Sequence, residues 1–292
     1  MPTPDYALVD RATQAASAVA HRSGIRNFTP LVLDGYSNTL VRLAPHPIVA
    51  RVATLSSAVR QCEQSMTREI AVGLALARKG AASARPSHLL PPGPHQEKGL
   101  WLSFWTYVDV KPERATPAEA GQQLHALHET LAQLRVELSC LSPFYEGQAI
   151  VASHLGHRLD LEARRLVETQ FKDVRQRIEA VCGVCRPLHG DAHYGNLMRT
   201  DRGLIWGDFE DTCCGPIEWD IACLTASSRV FGRGQAASEA LAGYGRPFSA
   251  AKLDLMIKAR VLQAVAWGLV ALPDPARDPR LLARLIWLRG HC

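Results

Sequence analysis

The sequence predicts an α+β chain in two unequal parts: an antiparallel, strand-rich first third with one long helix, then a mostly helical remainder. Three observations carry that expectation. Residues 29–33, 38–43 and 47–53 are short apolar runs, separated by the turn signals Asp34-Gly35 and Pro45-His46-Pro47. Long stretches after residue 117 have a helical composition, broken by one loop-rich interval at 187–211. Between them, the Pro-containing segment 109–117 marks a boundary, giving parts 1–108 and 109–292.

The elements follow in order. Residues 7–22 are expected to be helical, ahead of a meander of three short strands. Residues 57–79 place Met66, Ile70, Leu74 and Ala77 on one helical face, and Gly80 supplies a stop. The Pro-, Gly-, Ser- and His-rich stretch 83–99 reads as a loop around a possible short strand, and 100–108 (LWLSFWTYV) as a strand. Helices are expected over 117–137, 147–182, 217–229, 233–244, 249–272 and 279–290, with strand-like pieces at 197–198 and 204–206.

Composition narrows the class. The chain has 292 residues and 47% hydrophobic content, enough for a sizeable core. No apolar run approaches the roughly 20 residues of a membrane span, and MPTPDYALVDR has no basic leader before an apolar stretch. The expectation is a cytoplasmic protein without membrane or nucleic-acid partners. Eight cysteines in a chain this long do not make a disulfide scaffold. Cys182 and Cys185 form a lone CxxC and Cys213 and Cys214 are adjacent, so buried free thiols are expected. Residues 1–105 hold 11 Lys/Arg against 6 Asp/Glu, and the rest is balanced, which suits a polyanionic ligand in the first part.

The chemistry concentrates in His189-Gly190-Asp191-Ala192-His193-Tyr194-Gly195-Asn196, with Asp208 twelve positions later in Trp206-Gly207-Asp208-Phe209-Glu210. Phosphoryl transfer needs hard oxygen ligands for a divalent ion and a carboxylate to orient the acceptor hydroxyl and take its proton. Asp191 is the candidate carboxylate, and Asn196 and Asp208 are the candidate metal ligands. A metal-hydrolase site built on His189, Asp191 and His193 is the competing reading. Glu210 and Asp211 either reach a cationic substrate or lie in a solvated loop.

This spacing, together with Gly215-Pro216 and Trp219-Asp220-Ile221-Ala222, resembles the aminoglycoside phosphotransferase/choline kinase-like family over roughly residues 28–225. The resemblance implies a protein kinase-like bilobal fold: a nucleotide-binding first lobe with an antiparallel sheet plus helix, and a helical catalytic and substrate-binding second lobe. It implies ATP or GTP as co-substrate, Mg²⁺, and a small hydroxylated acceptor. Asp191 then matches the catalytic aspartate, Asn196 and Asp208 the Mg²⁺ ligands, His189 a buttress of the loop and Asp220 its buried brace. In the first part, Ser37 matches a phosphate-contacting serine and Arg51 the usual lysine. Glu69 is chosen over Glu63 as the carboxylate that pairs with Arg51. Residues 104–109 match the connector that meets the purine edge. His125 and His128 share a helix face in an LxxLH-like segment, read as packing beneath the catalytic loop. The acceptor is read as an antibiotic, such as an aminoglycoside, or another hydroxylated natural product. Choline, ethanolamine, homoserine or a sugar are the alternatives, and a non-catalytic nucleotide-binding protein is a further one. Glu239, Asp254, Asp274 and Asp278 are the only carboxylates after residue 226, which tempers the aminoglycoside reading.

Overall fold

The computed structural model describes residues 5–35, 38–181 and 185–291. The chain divides into two compact units, Met1–Val110 and Lys111–Cys292.

The first unit opens with α1 (Tyr6–Arg22), whose N-cap Asp5 accepts hydrogen bonds from Ala7 N and Leu8 N. Its buried face is built from Ala12, Ala15, Ala16, Val19 and Ala20. Small side chains on that face let the helix lie close to a sheet. Five antiparallel strands follow: β1 (Thr29–Gly35), β2 (Asn38–Ala44), β3 (Ile48–Ala53), β4 (His95–Glu97) and β5 (Leu100–Thr106). Their order is β1-β2-β3-β5-β4, so β3 lies at the centre of the sheet. Side chains alternate across a strand. Ile48, Ala50 and Val52 of β3 therefore join Val41, Leu43, Leu102 and Phe104 in the core that packs on α1. Arg51 points the other way and meets α2 (Cys62–Arg78). The helix expected from residue 57 begins at Cys62, because Leu55–Ala58 form a single 3-10 turn.

The second unit is mostly helical: α3 (Pro117–Leu131), α4 (Ser142–Ala152), α5 (Leu161–Val181), α6 (Glu218–Val230), α7 (Gly234–Tyr244), α8 (Ala250–Ala271) and α9 (Pro279–Arg289). Two short hairpin-like pairs interrupt it, β6 (Arg186–Leu188) with β9 (Cys213–Gly215) and β7 (Leu197–Thr200) with β8 (Gly203–Trp206). Helix α3 starts with Pro117 and a complete Thr116/Glu119 capping box. Hydrogen bonds from Arg199 and Thr116 hold the Glu119 carboxyl at about 2.

Three sequence expectations change here. The helix expected over 147–182 is broken at 153–160. There Arg158 turns back to donate to the carbonyls of Leu269, Leu272 and Pro273 at the end of α8, and Asp160 accepts from Ala163 N at 2.7 Å to start α5. Those orphan carbonyls gain a cationic cap, which outweighs continuing one helix. Helix α3 stops at Leu131 rather than 137, because residues 139–141 pair with the backbone of Cys214. The cysteines are not all buried free thiols. Cys185 and Cys214 form a disulfide, and exposed Cys140 stands with its sulfur within 4.8 Å of both. Strand pairing of β6 with β9 brings 185 and 214 together across 29 residues. Cys182 lies outside the described residues. Cys62, Cys213 and Cys223 are buried thiols outside the disulfide.

Among the described residues no helix is long and apolar enough to cross a membrane.

Candidate active site

The loop 189–196 is held by one buried carboxylate. Asp220, fully buried on α6, accepts from His189 N at 2.8 Å, from Gly190 N at 2.9 Å and lies 3.0 Å from His128 Nε2. Two successive backbone N–H groups on one carboxylate fix the direction in which the chain leaves residue 190. His128 passes the network to the Tyr244 hydroxyl at 2.9 Å, and burial pushes that phenol up to about 12. His128 thus packs beneath the loop, as expected, whereas His125 meets Arg246 on the exposed side of α3.

Gly190 is required at its position. Its φ is +88°, and a Cβ there would stand 1.8 Å from the carbonyl oxygen of Asp211. The indole of Trp219 donates to the Gly190 carbonyl at 2.7 Å. Burial lowers the pKa of His189, so its ring is neutral. It donates from Nε2 to the carbonyl of Gly207 at 2.9 Å and accepts from Asp191 N at Nδ1. That bond places the Gly207-Asp208 segment beside the loop. Gly207 N also donates to the Asn196 carbonyl at 2.8 Å. Asp208 sits at φ +61°, a sparsely populated conformation that clusters at functional sites.

Asp191 is where these constraints lead. Its backbone carbonyl accepts from Asn196 Nδ2 at 2.9 Å, and its carboxylate lies 3.4 Å from the same nitrogen. His193 Nε2 is 3.4 Å from one carboxylate oxygen, and Arg260 Nη2, from α8, is 2.5 Å from the other. Burial favours the neutral acid, but the charge of Arg260, reinforced by His193, overrides it and holds the carboxyl well below the usual range. The converse holds for His193: burial disfavours its charged form, and Asp191 raises its pKa above the ordinary value. His193 Nδ1 accepts from Gly195 N, so the ring also shapes the loop.

Sequence reasoning missed Arg260. The signal was present as two cations, Lys258 and Arg260, within the otherwise apolar run MIKARVLQAVAWGLV, where a buried charge is costly without a partner. Asp211, left open as solvated or substrate-facing, is buried beneath Gly190.

In the first unit, Arg51 Nη1 and Glu69 Oε2 lie 2.9 Å apart, and both side chains are almost fully buried. Glu63, the other candidate partner, lies in the first turn of α2. Trp105 is core, with its indole on Ser103 Oγ, and Tyr107 lies under the Arg42 guanidinium at 3.8 Å. Ser37 lies outside the described residues.

The family model described as a phosphotransferase enzyme family matches residues 30–255. The chain belongs to this family. Solved structures agree with the phosphotransferase in fold. An amicoumacin kinase, in complex with AMP-PNP, Ca²⁺ and Ami, superposes with a TM-score of 0.70 at 14% identity, covering 94% of this chain and 92% of that one. The choline kinase LicA from Streptococcus pneumoniae gives 0.68 at 12%, covering 94% and 97%. A microcompartment-associated aminopropanol kinase gives 0.68 at 16%, covering 95% and 94%. No curated protein matches the phosphotransferase in sequence. Its fold is kinase-like α+β, and the metal-hydrolase reading of His189, Asp191 and His193 gives way. His189 is spent on Gly207 and Asp191 N, leaving no histidine pair for a metal.

Proposed function

We propose that the chain moves the γ-phosphoryl group of ATP or GTP to a hydroxyl of a small molecule, with Asp191 orienting that hydroxyl. One observation carries this reading: the Asp191 carboxylate lies 2.5 Å from Arg260 Nη2 and 3.4 Å from His193 Nε2 in a loop that Asp220 fixes through consecutive backbone donors. A carboxylate paired with a guanidinium is a weakened base. Its contribution is to fix the hydroxyl in line and to receive the proton late, as the new oxygen–phosphorus bond forms and the bond to the β-phosphate oxygen breaks. The proton then passes to solvent.

Asn196 and Asp208 fit a Mg²⁺ ion by donor chemistry. The Asn196 amide nitrogen is turned to Asp191, which leaves its carbonyl oxygen for a hard cation, and Asp208 adds a carboxylate on the adjoining segment. When bound, such an ion neutralises phosphate charge. Arg51, fixed by Glu69, is the proposed phosphate-binding cation of the first unit, and Ser37 the proposed hydroxyl contact. The neighbour that carries AMP-PNP with Ca²⁺, and an aminoglycoside 2'-phosphotransferase-IIIa solved with GDP, support a nucleotide co-substrate of either base. The neighbours' names span amicoumacin, choline, aminopropanol and aminoglycosides, so the fold supports the reaction type and the acceptor must be read from the pocket.

The test is nucleotide turnover coupled to product mass over hydroxylated acceptors. Asp191→Asn should lower turnover by about 10²–10⁴-fold with the fold intact, and Asp208→Ala should weaken the dependence on Mg²⁺-nucleotide. Near-normal turnover in Asp191→Asn would refute the assignment.

A further inference from the structure

The second unit contains a cavity of about 760 Å³ beside the loop residues His193, Tyr194 and Gly195. Its walls come from α6, α8, α9 and the segment before α3. Five arginines line it, Arg114, Arg233, Arg260, Arg280 and Arg284, and no Asp or Glu does among the described residues. The distribution of these charges separates the arginines into two kinds. Arg260 is already satisfied by Asp191 and Gln263, and so joins the cavity to the catalytic carboxylate. The other four have no ion-pair partner among the described residues. Arg284 is half-buried, with its guanidinium 5.7 Å from the centre of the Phe231 ring. Burial, then the like charges of Arg260 and Arg280, depress its pKa. Asp278 works against that field from outside the lining, where its carboxylate caps α9 through Leu281 N.

Like charges gathered around a half-buried guanidinium repel one another, and a bound ligand of opposite sign relieves that repulsion. A polycation entering this cavity would face five guanidinium groups and no lining carboxylate among the described residues. A planar, two-pronged donor such as guanidinium matches a carboxylate or phosphate. Building on the phosphotransferase reading, we propose that this cavity is the acceptor site and that the acceptor is a hydroxylated anion. Its carboxylate or phosphate group pairs with Arg280 and Arg284 while its hydroxyl reaches Asp191. None of the four carboxylates of residues 226–292 lines the cavity, whereas four of its five arginines come from that stretch, and the two facts are then two sides of one specificity. This narrows the sequence reading of an antibiotic or other hydroxylated natural product to an anionic acceptor, and sets aside the aminoglycoside already tempered there.

The test has two arms. In the first, inorganic phosphate and malate are titrated calorimetrically into wild type and into the Arg280→Gln/Arg284→Gln double variant, with folding checked by circular dichroism. Saturable binding to wild type, weakened about 10–100-fold in the variant, is expected; no binding to wild type, or equal binding to both, overturns the proposal. In the second, Mg²⁺-nucleotide turnover is measured with hydroxy acids, phosphorylated sugars, neutral polyols, choline and kanamycin. Transfer confined to the hydroxy acids or to the phosphorylated sugars supports the proposal and tells the two anion sources apart. The double variant should then raise the acceptor KM by the same factor while nucleotide affinity holds. Transfer to choline, kanamycin or polyols with the anions inert overturns the anionic acceptor and leaves the phosphotransferase reading standing. Anion binding that depends on both arginines, with no acceptor phosphorylated, supports the anion site and counts against the transfer reaction.

Discussion

Asp220 has no part in the proposed chemistry, yet it sets the position of the residue that does. Its two oxygens serve three buried donors, His189 N, Gly190 N and His128 Nε2. Asp220→Ala would strand all three. A stranded buried donor costs about 1–3 kcal/mol, so a loss of about 3–5 kcal/mol is expected, read as a lower urea midpoint. Turnover should fall as well, under conditions where the variant is still folded, because the chain direction into Asp191 is no longer fixed. Asp220→Asn should recover part of the stability through its one remaining acceptor oxygen. A variant as stable as wild type would show that the network is not load-carrying in this way. Asp220, His189, Asp191, Asn196 and Asp208 were legible in the sequence because they fall within 32 consecutive residues whose spacing reflects their contacts. Arg260 was not, since it reaches Asp191 from 69 positions away on a helix whose composition advertises only a core.

Helices α3 and α7 meet at two glycines. A Cβ on Gly121 would stand 2.0 Å from the carbonyl oxygen of Ala240, and one on Gly243 would stand 2.1 Å from that of Ala118. Backbone therefore lies on backbone, and this close approach brings Tyr244 within reach of His128. Two effects oppose each other in Gly243→Ala. Helix propensity favours alanine by about 1 kcal/mol, while forcing a methyl group into a packed contact costs about 1–3 kcal/mol. The contact is backbone rather than a flexible side chain, so the second effect wins. Gly121→Ala and Gly243→Ala should each be destabilising in denaturant titration, whereas a gain in stability would refute the close packing. Sequence legibility also has its limits at this scale. The three-strand meander and the helices α6 to α9 were expected because their signals are local: turn residues between apolar runs, and helical spacing. The break at 153–160 and the early end of α3 were not. Strong helix formers flank both, and the decisive partners, the end of α8 and the backbone of Cys214, come from far along the chain. The Cys185–Cys214 pair escaped notice for the same reason.

The whole chain contains two compact units, each with a buried apolar interior of its own: Val41, Leu43, Ile48 and Phe104 in the first, Phe144, Phe171, Trp206 and Trp219 in the second. Charge follows the same division, with the excess of Lys and Arg confined to residues 1–105. A unit with its own core can melt on its own, and a chain of two such units departs from all-or-none unfolding. The expected result in scanning calorimetry is a total enthalpy larger than the van't Hoff enthalpy of the transition. Single substitutions then assign the components. All the partners of Asp220 lie in the second unit, so Asp220→Ala should lower only the transition of that unit. Arg51→Met removes the guanidinium 2.9 Å from the buried Glu69 carboxylate and should lower only that of the first, by an amount corresponding to about 3–5 kcal/mol for a broken buried ion pair. If both substitutions shift one common transition with an enthalpy ratio of one, the two units unfold as a single cooperative body. The stability of the catalytic loop would then depend on the Arg51–Glu69 pair as much as on Asp220.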